Sequence, residues 1–353
     1  MFEMTKDLAL SAIYGGWLLG GGGGGSLQGG LEVIDAVMKN GGFSVCTVDE
    51  LKADETVVTG SLVGSPASGT SGPAEAGCMR AYRLFCSNTG LSVGAVISNE
   101  SGAQSITNGW IAAAVNGLPV IDAACNGRAH PTGVMGAMEL HKKPGYVTVQ
   151  AAAGGRPGRE LDIVTKGSID DTSALVRSTA AAAKGMVHVL RNPIDAAYIR
   201  ENAAIGTLSM CIELGKTLRA HENDPEGMVQ ALSEQAGLRL LAKGALQGFT
   251  MTSEGGFDVG SATVGDGYAI SFWNEYMTVE KDGERLATFP DLIHLMDAKT
   301  GLPVCSAAIE EGMDVMLVCI PKERLLLGST MFDRELFIPC EKAVKKPLIE
   351  YVF

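Results

Sequence analysis

Six polar side chains that could bind or activate a small molecule follow the ends of two apolar segments. They are Asn99 and Glu100 after LSVGAVIS (91–98), and Asp122, Asn126, Arg128 and His130 after LPVI (118–121). A carboxylate near a histidine can orient or deprotonate a water molecule, and an arginine can hold an anionic group through two parallel hydrogen bonds. We therefore predict four catalytic residues, Glu100, Asp122, Arg128 and His130, and two substrate-binding asparagines, Asn99 and Asn126.

The same residues also have other readings, which the sequence leaves open. Asp122 could cap the turn that follows it, and Arg128 could form a structural ion pair with Glu100. Cys125 could be a nucleophile with His130 as its base, although a lone cysteine is more often a small buried side chain. We predict no cofactor, with a divalent metal held by Asp, Glu and His as the alternative, although neither HxH nor HExxH spacing occurs.

Six consecutive glycines, Gly20 to Gly25, precede Ser26 and could bring main-chain N–H groups close to a ligand. The run matches the dinucleotide pattern GxGxxG trivially, but that fingerprint needs a preceding strand, and the preceding segment is predicted as a helix. No GK[ST] follows, which excludes a phosphate-binding P-loop. We predict that the run and the helix after it approach a small ligand or the facing domain. The predicted substrate-binding residues here are Gly22, Gly23, Gly24, Gly25 and Ser26.

Helices and strands are predicted to alternate around these residues. Helices are expected at 6–19 and 27–39, with Thr5 and Ser26 as N-caps, and then near 78–88, at 104–116 and after Gly133. Strands are expected at 43–48, 57–64, 91–98, 118–122 and 146–150. This order predicts a parallel sheet with right-handed crossovers. Because ligands bind beyond the carboxyl ends of such strands, Glu100 and Asp122 stand where a site is expected.

We predict a multidomain α/β protein with a boundary in GGRPGRE (154–160). Residues 1–160 would form an N-terminal α/β domain with a largely parallel sheet. Residues 161–353 would form a C-terminal domain with a helical part (161–243) and a β-rich part (244–353). Within the β-rich part, Asp282-Gly283 predicts a hairpin turn. Asn274 and Glu275 end a strand there, and we predict that they bind substrate in the cleft between the domains.

Composition restricts the kind of partner and the compartment. The chain has 353 residues, which exceeds one ordinary core, and a net charge of −12 argues against nucleic acid and anionic membrane surfaces. No apolar run reaches the ~18 residues that span a bilayer. The eight cysteines form no CxxC pair, and the N-terminus has no signal-peptide pattern. We predict a cytoplasmic protein that acts on a small molecule and could form a homo-oligomer. The composition of SPASGTSGPAEAG (65–77) predicts a surface loop.

Several segments together resemble the S-methyl thiohydantoin desulfurase family. They are LLGGGGGGS near the start, NESG at 99–102, LPVIDAACNGRAHPTG at 118–133 and FWNEYMTVEKDGERLATFPDLIHLMDAKTGLPV at 272–304. The resemblance implies an N-terminal α/β domain and a C-terminal domain with a β-rich part. It also implies action on a five-membered thiohydantoin-like ring, with release of a thiol and formation of a hydantoin.

The chain departs from that family pattern at two places in the matched loop. Relatives usually carry a second acid where this chain has Ala124, and Phe-Pro-Glu where it has His130-Pro131-Thr132. Because such residues would touch the substrate, we expect the substrate to differ from the one that names the family.

We predict a hydrolase of a small cyclic amide, imide or thioimidate, in which water attacks the ring carbon between the two nitrogens. One alternative is a non-catalytic ligand-binding subunit that partners a hydantoinase-like enzyme. A second alternative is a nucleotide-dependent enzyme that uses the glycine run.

Overall fold

The computed structural model describes residues 1–64, 74–254 and 257–353, and two β-sheets organise them. The first sheet contains β1 (Phe2–Glu3), β2 (Ser44–Cys46), β3 (Thr56–Val63), β4 (Ala95–Ser98), β5 (Val120–Ala124), β6 (Thr148–Gly154), β7 (Leu161–Gly167), β8 (Val187–Asp195) and β9 (Ala204–Ile205). The second contains β10 (Arg239–Glu254), β11 (Phe257–Val264), β12 (Tyr268–Trp273), β13 (Glu275–Lys281), β14 (Glu284–Thr288), β15 (Leu292–Asp297), β16 (Pro303–Val304) and β17 (Asp314–Ile320).

Helices cover both faces of the first sheet and close the C-terminal end of the chain. They are α1 (Lys6–Leu19), α2 (Leu27–Lys39), α3 (Ala74–Thr89), α4 (Trp110–Asn116), α5 (Ile169–Ala183), α6 (Ala196–Asn202), α7 (Thr207–Ala220), α8 (Pro225–Ala236), α9 (Ile338–Val344) and α10 (Ile349–Val352). None of them, over the described part of the chain, is long and apolar enough to cross a membrane.

The first sheet is mixed, with the strand order β1-β2-β5-β4-β3-β8-β6-β7 and β9 paired to β5. Strands β2, β5, β4 and β3 form a parallel block at its centre. The predicted α/β fold class is therefore confirmed. Strand β6 departs from the predicted parallel pairing, because it lies antiparallel between β7 and β8. Since β7 and β8 follow residue 160, this sheet takes strands from both sides of the predicted domain boundary.

The second sheet consists of antiparallel pairs in the order β14-β13-β12-β11-β10-β17-β15-β16. The predicted hairpin turn joins β13 to β14 through Asp282 and Gly283, whose φ angles are 52° and 83°. Positive φ at both central residues belongs to the type I′ turn, which aspartate and glycine accept with little strain. The β-rich character expected after residue 244 is thus an eight-stranded antiparallel sheet.

Local capping places the first two helices where the sequence predicts them. The Thr5 hydroxyl accepts the Leu8 N–H at the start of α1, and the Ser26 hydroxyl accepts the Gly29 N–H at the start of α2. The predicted loop 65–77 falls in two parts. Residues 65–73 lie outside the described residues, whereas residues 74–77 already form the first turn of α3.

Two other helix predictions need correction. The segment 104–116 is not one helix, because Gly109 adopts a φ of 90° and separates a short 3-10 turn, Ser105–Thr107, from α4. The helix expected after Gly133 is absent from the described residues, where only the 3-10 turn Leu140–Lys142 interrupts irregular chain. Both segments carry helix-like apolar spacing, but only residues 110–116 of the first form an α-helix.

Two glycines allow α1 and α7 to cross at close range. A Cβ atom at Gly15 would overlap the Cys211 carbonyl oxygen, and one at Gly215 would overlap the Ser11 carbonyl oxygen. Because both obstacles are backbone atoms, neither can move aside alone. This contact matters for function because α1 ends directly in the glycine run.

We predict that Gly215→Ala lowers the free energy of unfolding by about 1–3 kcal/mol or more, since the new methyl group forces the two helices apart. Gly167→Ala is the matched control, because a Cβ there would meet only the Thr172 methyl group at 3.5 Å. Chemical denaturation of both variants measures the effect. Equal stability of the two variants would contradict the close helix crossing.

Candidate active site

A cavity of about 760 Å³ lies where the carboxyl ends of the parallel strands meet the second sheet. The predicted site residues that line it are Gly22, Gly23, Gly24, Gly25, Ser26, Asn99, Glu100, His130, Asn274 and Glu275. Three predicted residues are not among its lining, namely Asp122, Asn126 and Arg128. The glycine run and the loop after β5 therefore do reach a common cavity, but with a smaller set of side chains.

The glycine run is shaped by contacts that leave no room for side chains. Gly22 and Gly24 adopt φ angles of 97° and 76°, which glycine alone adopts readily. A Cβ atom at Gly22 would lie 2.8 Å from the Tyr276 ring, and one at Gly23 would overlap the Glu275 carboxyl group. The run thus lies directly against the second sheet, as the interpretation of close approach predicts.

The carbonyl groups of the run are tied to the protein. The Tyr276 N–H donates to Gly21 O at 2.8 Å, and the Ser306 N–H donates to Gly22 O at 2.9 Å. Gly24 O accepts two N–H groups, from residues 104 and 105, each at 3.0 Å. These bonds fix the orientation of the peptide planes.

The N–H groups at the end of the run remain available to a ligand. Among the described residues, those of Gly24, Gly25 and Ser26 make no hydrogen bond. They precede the N-terminus of the 13-residue helix α2, whose first N–H groups also lack helical partners. The aligned peptide dipoles make this end of the helix electropositive. A developing negative charge in the cavity would be stabilised here.

Glu100 and His130 form the acid–histidine pair of the cavity. His130 Nε2 lies 3.3 Å from Glu100 Oε2, and the main-chain N–H of His130 donates to the same oxygen at 3.4 Å. The Glu100 side chain is 12% exposed, and the His130 side chain is 2% exposed. Burial lowers the pKa of His130, although the charge of Glu100 opposes that shift. The imidazole is therefore neutral at neutral pH and can accept a proton.

Glu275 enters the cavity from the second sheet at the start of β13. It is 2% exposed, and its Oε2 makes no hydrogen bond among the described residues. Burial raises the pKa of this carboxyl group well above its usual range, and the charge of Glu100 adds to the shift while Arg128 opposes it. Burial therefore favours the protonated form of Glu275, the form that can donate a proton. Neighbouring Asn274, at a φ of 57°, shapes the turn before it.

Asp122 has a structural role, which corrects its prediction as a catalytic residue of this cavity. Its Oδ1 accepts the Ser209 N–H at 2.8 Å, and its Oδ2 accepts the Ser209 hydroxyl at 2.6 Å. Ser209 lies in the first turn of α7. A carboxylate that accepts from the N–H groups of a first helical turn satisfies donors without helical partners and complements the helix dipole. The misplacement arises because β5 extends to Ala124 rather than ending at residue 122. Asp122 is therefore a strand residue, and successive strand side chains face opposite sides of the sheet.

Arg128 connects the two sheets instead of facing a substrate, which corrects a second prediction. It is fully buried, and its Nη1 donates to the carbonyl oxygens of Pro290, at 3.1 Å, and Asp291. Its Cζ lies 4.5 Å from the centre of the Phe289 ring. Burial lowers its pKa to about 10. The guanidinium group holds the loop after β14 against the start of the glycine run, where a Cβ atom at Gly21 would overlap it.

The two asparagines and Cys125 occupy different surroundings. Asn99 lines the cavity, and its Oδ1 accepts from Asn108 Nδ2 at 2.8 Å. Asn126 is fully buried outside the cavity lining, so its predicted contact with substrate is not supported. Cys125 is buried beside Thr59, and burial raises the pKa of its thiol to about 12. A thiol that remains protonated is a poor nucleophile, so the structural reading of Cys125 holds.

Several cavity residues were not predicted from the sequence. Polar residues among them are Asn108, Ser173, Arg177, Arg191 and Asp258. Arg191 carried one signal that sequence reasoning could have used, since it is a charged residue at the end of the otherwise apolar strand VHVL. Arg177 and Ser173 carried none, because they lie in an alanine-rich helix whose tertiary orientation the sequence does not reveal. Within the described ranges, no group of three or more His, Cys, Asp or Glu residues could hold a metal ion.

Comparison with solved structures places the fold beside a crystal structure of a protein from Chromobacterium violaceum. The two chains superpose with a TM-score of 0.73 at 19% identity, over 98% of this chain and 99% of that chain. At this level of identity the likeness shows a shared fold. No curated protein matches the sequence.

Two family models match the chain and together span most of it. The S-Me-THD-like N-terminal domain matches residues 9–157, and the S-Me-THD-like C-terminal domain matches residues 168–330. These ranges contain the glycine run, His130 and the three acidic residues that line the cavity, Glu100, Asp258 and Glu275. The chain therefore belongs to the S-methyl thiohydantoin desulfurase-like family.

Proposed function

We propose that this protein is a hydrolase of a five-membered thiohydantoin-like ring, with the cavity between the two sheets as its active site. The observation that carries the proposal is the meeting of three features in one cavity: the Glu100–His130 pair, the buried Glu275 with its raised pKa, and the N–H groups before α2 that make no hydrogen bond among the described residues. In an S-alkyl substrate, water adds to the ring carbon between the two nitrogens. The thiol then leaves, and a ring carbonyl forms in its place.

The Glu100–His130 pair takes the proton from the attacking water in this proposal. A neutral imidazole accepts a proton readily, and a carboxylate 3.3 Å away stabilises the imidazolium that forms. Glu100 is the more exposed of the two groups, so it also has access to water that enters the cavity. The two side chains thus act as one base.

Glu275 supplies the proton that the leaving sulfur needs. A carboxylic acid kept neutral by burial can donate to a leaving group at neutral pH, as a carboxylate with an ordinary pKa cannot. Both protons of water are accounted for: one passes to the base and replaces the proton that Glu275 gives to sulfur, and the proton of the added hydroxyl ends on the ring nitrogen when the carbonyl forms. The reaction thus consumes one water and yields one hydantoin and one thiol. The N–H groups of Gly24, Gly25 and Ser26 hold the negative charge that develops on a ring oxygen or nitrogen.

A substrate screen tests the proposal directly. The purified full-length protein is incubated with hydantoins, thiohydantoins and S-methyl thiohydantoins, and thiol release is followed with a thiol reagent. Turnover of the S-methyl compounds supports the proposal. Saturable binding without turnover would instead favour a non-catalytic ligand-binding subunit. A nucleotide-dependent enzyme has little support, because the glycine run joins two helices and lacks the preceding strand of a dinucleotide site.

We predict that Glu100→Gln lowers kcat/KM by at least about 100-fold, the lower range for losing a general base. Asp122→Asn is the matched control, because it makes the same chemical change at the structural acid. It should lower the free energy of unfolding by about 1–3 kcal/mol through the weakened bonds to Ser209 and leave turnover within about twofold. Steady-state kinetics and denaturation of both variants are compared. A slow Asp122→Asn enzyme of normal stability would return the base to Asp122.

The activity should show a broad pH plateau with two displaced limbs. Burial lowers the pKa of His130, so the acid limb falls below about 6.5, the ordinary histidine value. Burial raises the pKa of Glu275, so the alkaline limb lies well above about 4.3, the ordinary glutamate value. The profile of kcat/KM from acid to alkaline pH measures both. A His130→Gln variant should lose the acid limb together with most activity, and an unchanged profile would contradict the assignment.

Glu275 should also make the stability of the protein depend on pH. Its folded pKa is raised, so its stabilising contribution is full below the unfolded pKa of about 4.3 and is lost as pH rises through the folded pKa. Glu275→Gln, which mimics the protonated acid, should therefore melt at a higher temperature than the wild type at alkaline pH and at a similar temperature near pH 4. Thermal unfolding across this range measures the difference. A difference that stayed constant with pH would contradict the raised pKa.

A further inference from the structure

Arg191 is a buried arginine that lines the cavity. It lies in β8, is 3% exposed, and forms no ion pair with any carboxylate among the described residues. Its Nε is buried without a hydrogen bond. Burial lowers the pKa of Arg191, and nearby Arg177 adds to that shift, whereas Cys125 and Glu100 oppose it. Glu100 is therefore the acidic neighbour that acts on Arg191, but it lies beyond ion-pair distance.

Arg177 is a second cation of the same wall. It projects from α5 and lines the cavity, with its Cζ 4.5 Å from the centre of the Phe257 ring. Over the described chain it makes no ion pair or hydrogen bond. The ring holds the guanidinium plane in place by stacking, which leaves its N–H groups unused. Two neighbouring like charges, both facing one cavity, repel each other unless an anion lies between them.

Other donors converge on the same place. Ser173 lies one helical turn before Arg177 on α5 and also lines the cavity. Its oxygen accepts from Gln150 Nε2 at 3.4 Å, so its own O–H is free to donate. A Cβ atom at Gly133 would lie 3.5 Å from Arg191 Nη1 and 3.6 Å from Ser173 Oγ. The bare backbone of Gly133 therefore leaves a space that both donors reach.

We propose that Arg191, Arg177 and Ser173 form a subsite for a carboxylate arm on the substrate. Leaving a buried charge unpaired destabilises a protein, so the arrangement is explained by a ligand that brings the opposite charge. The fork of an arginine matches the two oxygens of a carboxylate through parallel hydrogen bonds. The wall formed by these three residues is distinct from the glycine run, which serves the reacting ring.

A singly charged carboxylate fits this wall better than a phosphate. Glu100 and Asp258 line the same cavity, and their carboxylates would repel a dianion. Among the described residues, those that line the cavity also include no lysine. The cavity volume of about 760 Å³ falls within the range for substituted, drug-sized ligands, and so has room for a ring with an arm. This inference rests on the proposed function for the identity of the ring, but the anion subsite itself does not depend on turnover.

Binding of two matched probes tests the subsite. Hydantoin-5-acetic acid carries the carboxylate, and its methyl ester has nearly the same shape without the charge. Calorimetric titration of the full-length protein should show the acid binding at least about tenfold more tightly than the ester, as expected for charge-assisted hydrogen bonds. Arg191→Gln and Arg177→Gln should each reduce that preference to about threefold or less. Arg83→Gln, at an exposed arginine of α3, should leave it unchanged.

A second measurement separates loss of binding from loss of folding. Arg191→Gln removes an unpaired buried charge, so the unliganded variant should melt at a temperature equal to or above that of the wild type. A variant destabilised by misfolding would melt lower, and Arg177→Gln, at a half-buried position, then carries the binding test. Equal affinity of the wild type for the acid and the ester would overturn the subsite, as would an unchanged preference in both variants.

The two proposals fail in different ways. Turnover of an S-methyl thiohydantoin without any preference for a carboxylate arm would overturn the subsite and leave the proposed hydrolase standing. An acid preference that disappears in the arginine variants, in a protein that turns over none of the ring compounds, would support the subsite and overturn the hydrolase.

Discussion

The close contact between the glycine run and the second sheet is the constraint on which the site depends. The backbone of Gly22 and Gly23 occupies space that any Cβ atom would share with Tyr276 and Glu275. Hydrogen bonds from Tyr276 and Ser306 fix carbonyl groups of the run, and the following N–H groups make no hydrogen bond among the described residues. The six glycines therefore do not serve flexibility. They bring two sheets close enough to share one cavity while keeping the main chain accessible to a ligand.

The polar groups of the cavity are arranged at a cost to stability. Glu275 is buried, which raises the pKa of its carboxyl group, and Arg191 is buried without an ion pair among the described residues. By contrast, the hydrogen bonds of half-buried Asp122 and fully buried Arg128 tie elements of the fold together. The carboxylate oxygens of Asp122 and Nη1 of Arg128 have partners within the protein, whereas Glu275 Oε2 and Arg191 Nε make no hydrogen bond among the described residues. Each of these two pairs consists of one acid and one arginine, so hydrogen bonding distinguishes the pairs more clearly than residue type does.

Sequence reasoning succeeded where the governing physics is local. Caps at Thr5 and Ser26, the Asp282-Gly283 turn and the position of Glu100 after a strand all follow from neighbouring residues. It failed for Asp122, because β5 continues for two residues beyond it. Asp122 is therefore a strand residue, and its side chain lies on the other face of the sheet. It missed Arg177, since nothing in the pattern of α5 says which face meets a cavity formed with a sheet about 80 residues further along the chain.

The departures from the family pattern fall in physically different places. Ala124 is fully buried at the end of β5 and is not part of the cavity lining. The absence of an acid at this position therefore affects the packing of the sheet more than the contacts with a ligand. His130, Pro131 and Thr132 do line the cavity, and His130 supplies half of the acid–histidine pair. An acid at position 132 would stand next to Gly133, near Arg191, where it would offer that arginine an ion pair. Threonine offers no such charge, and in the subsite proposed above the carboxylate arm of the substrate would take that place.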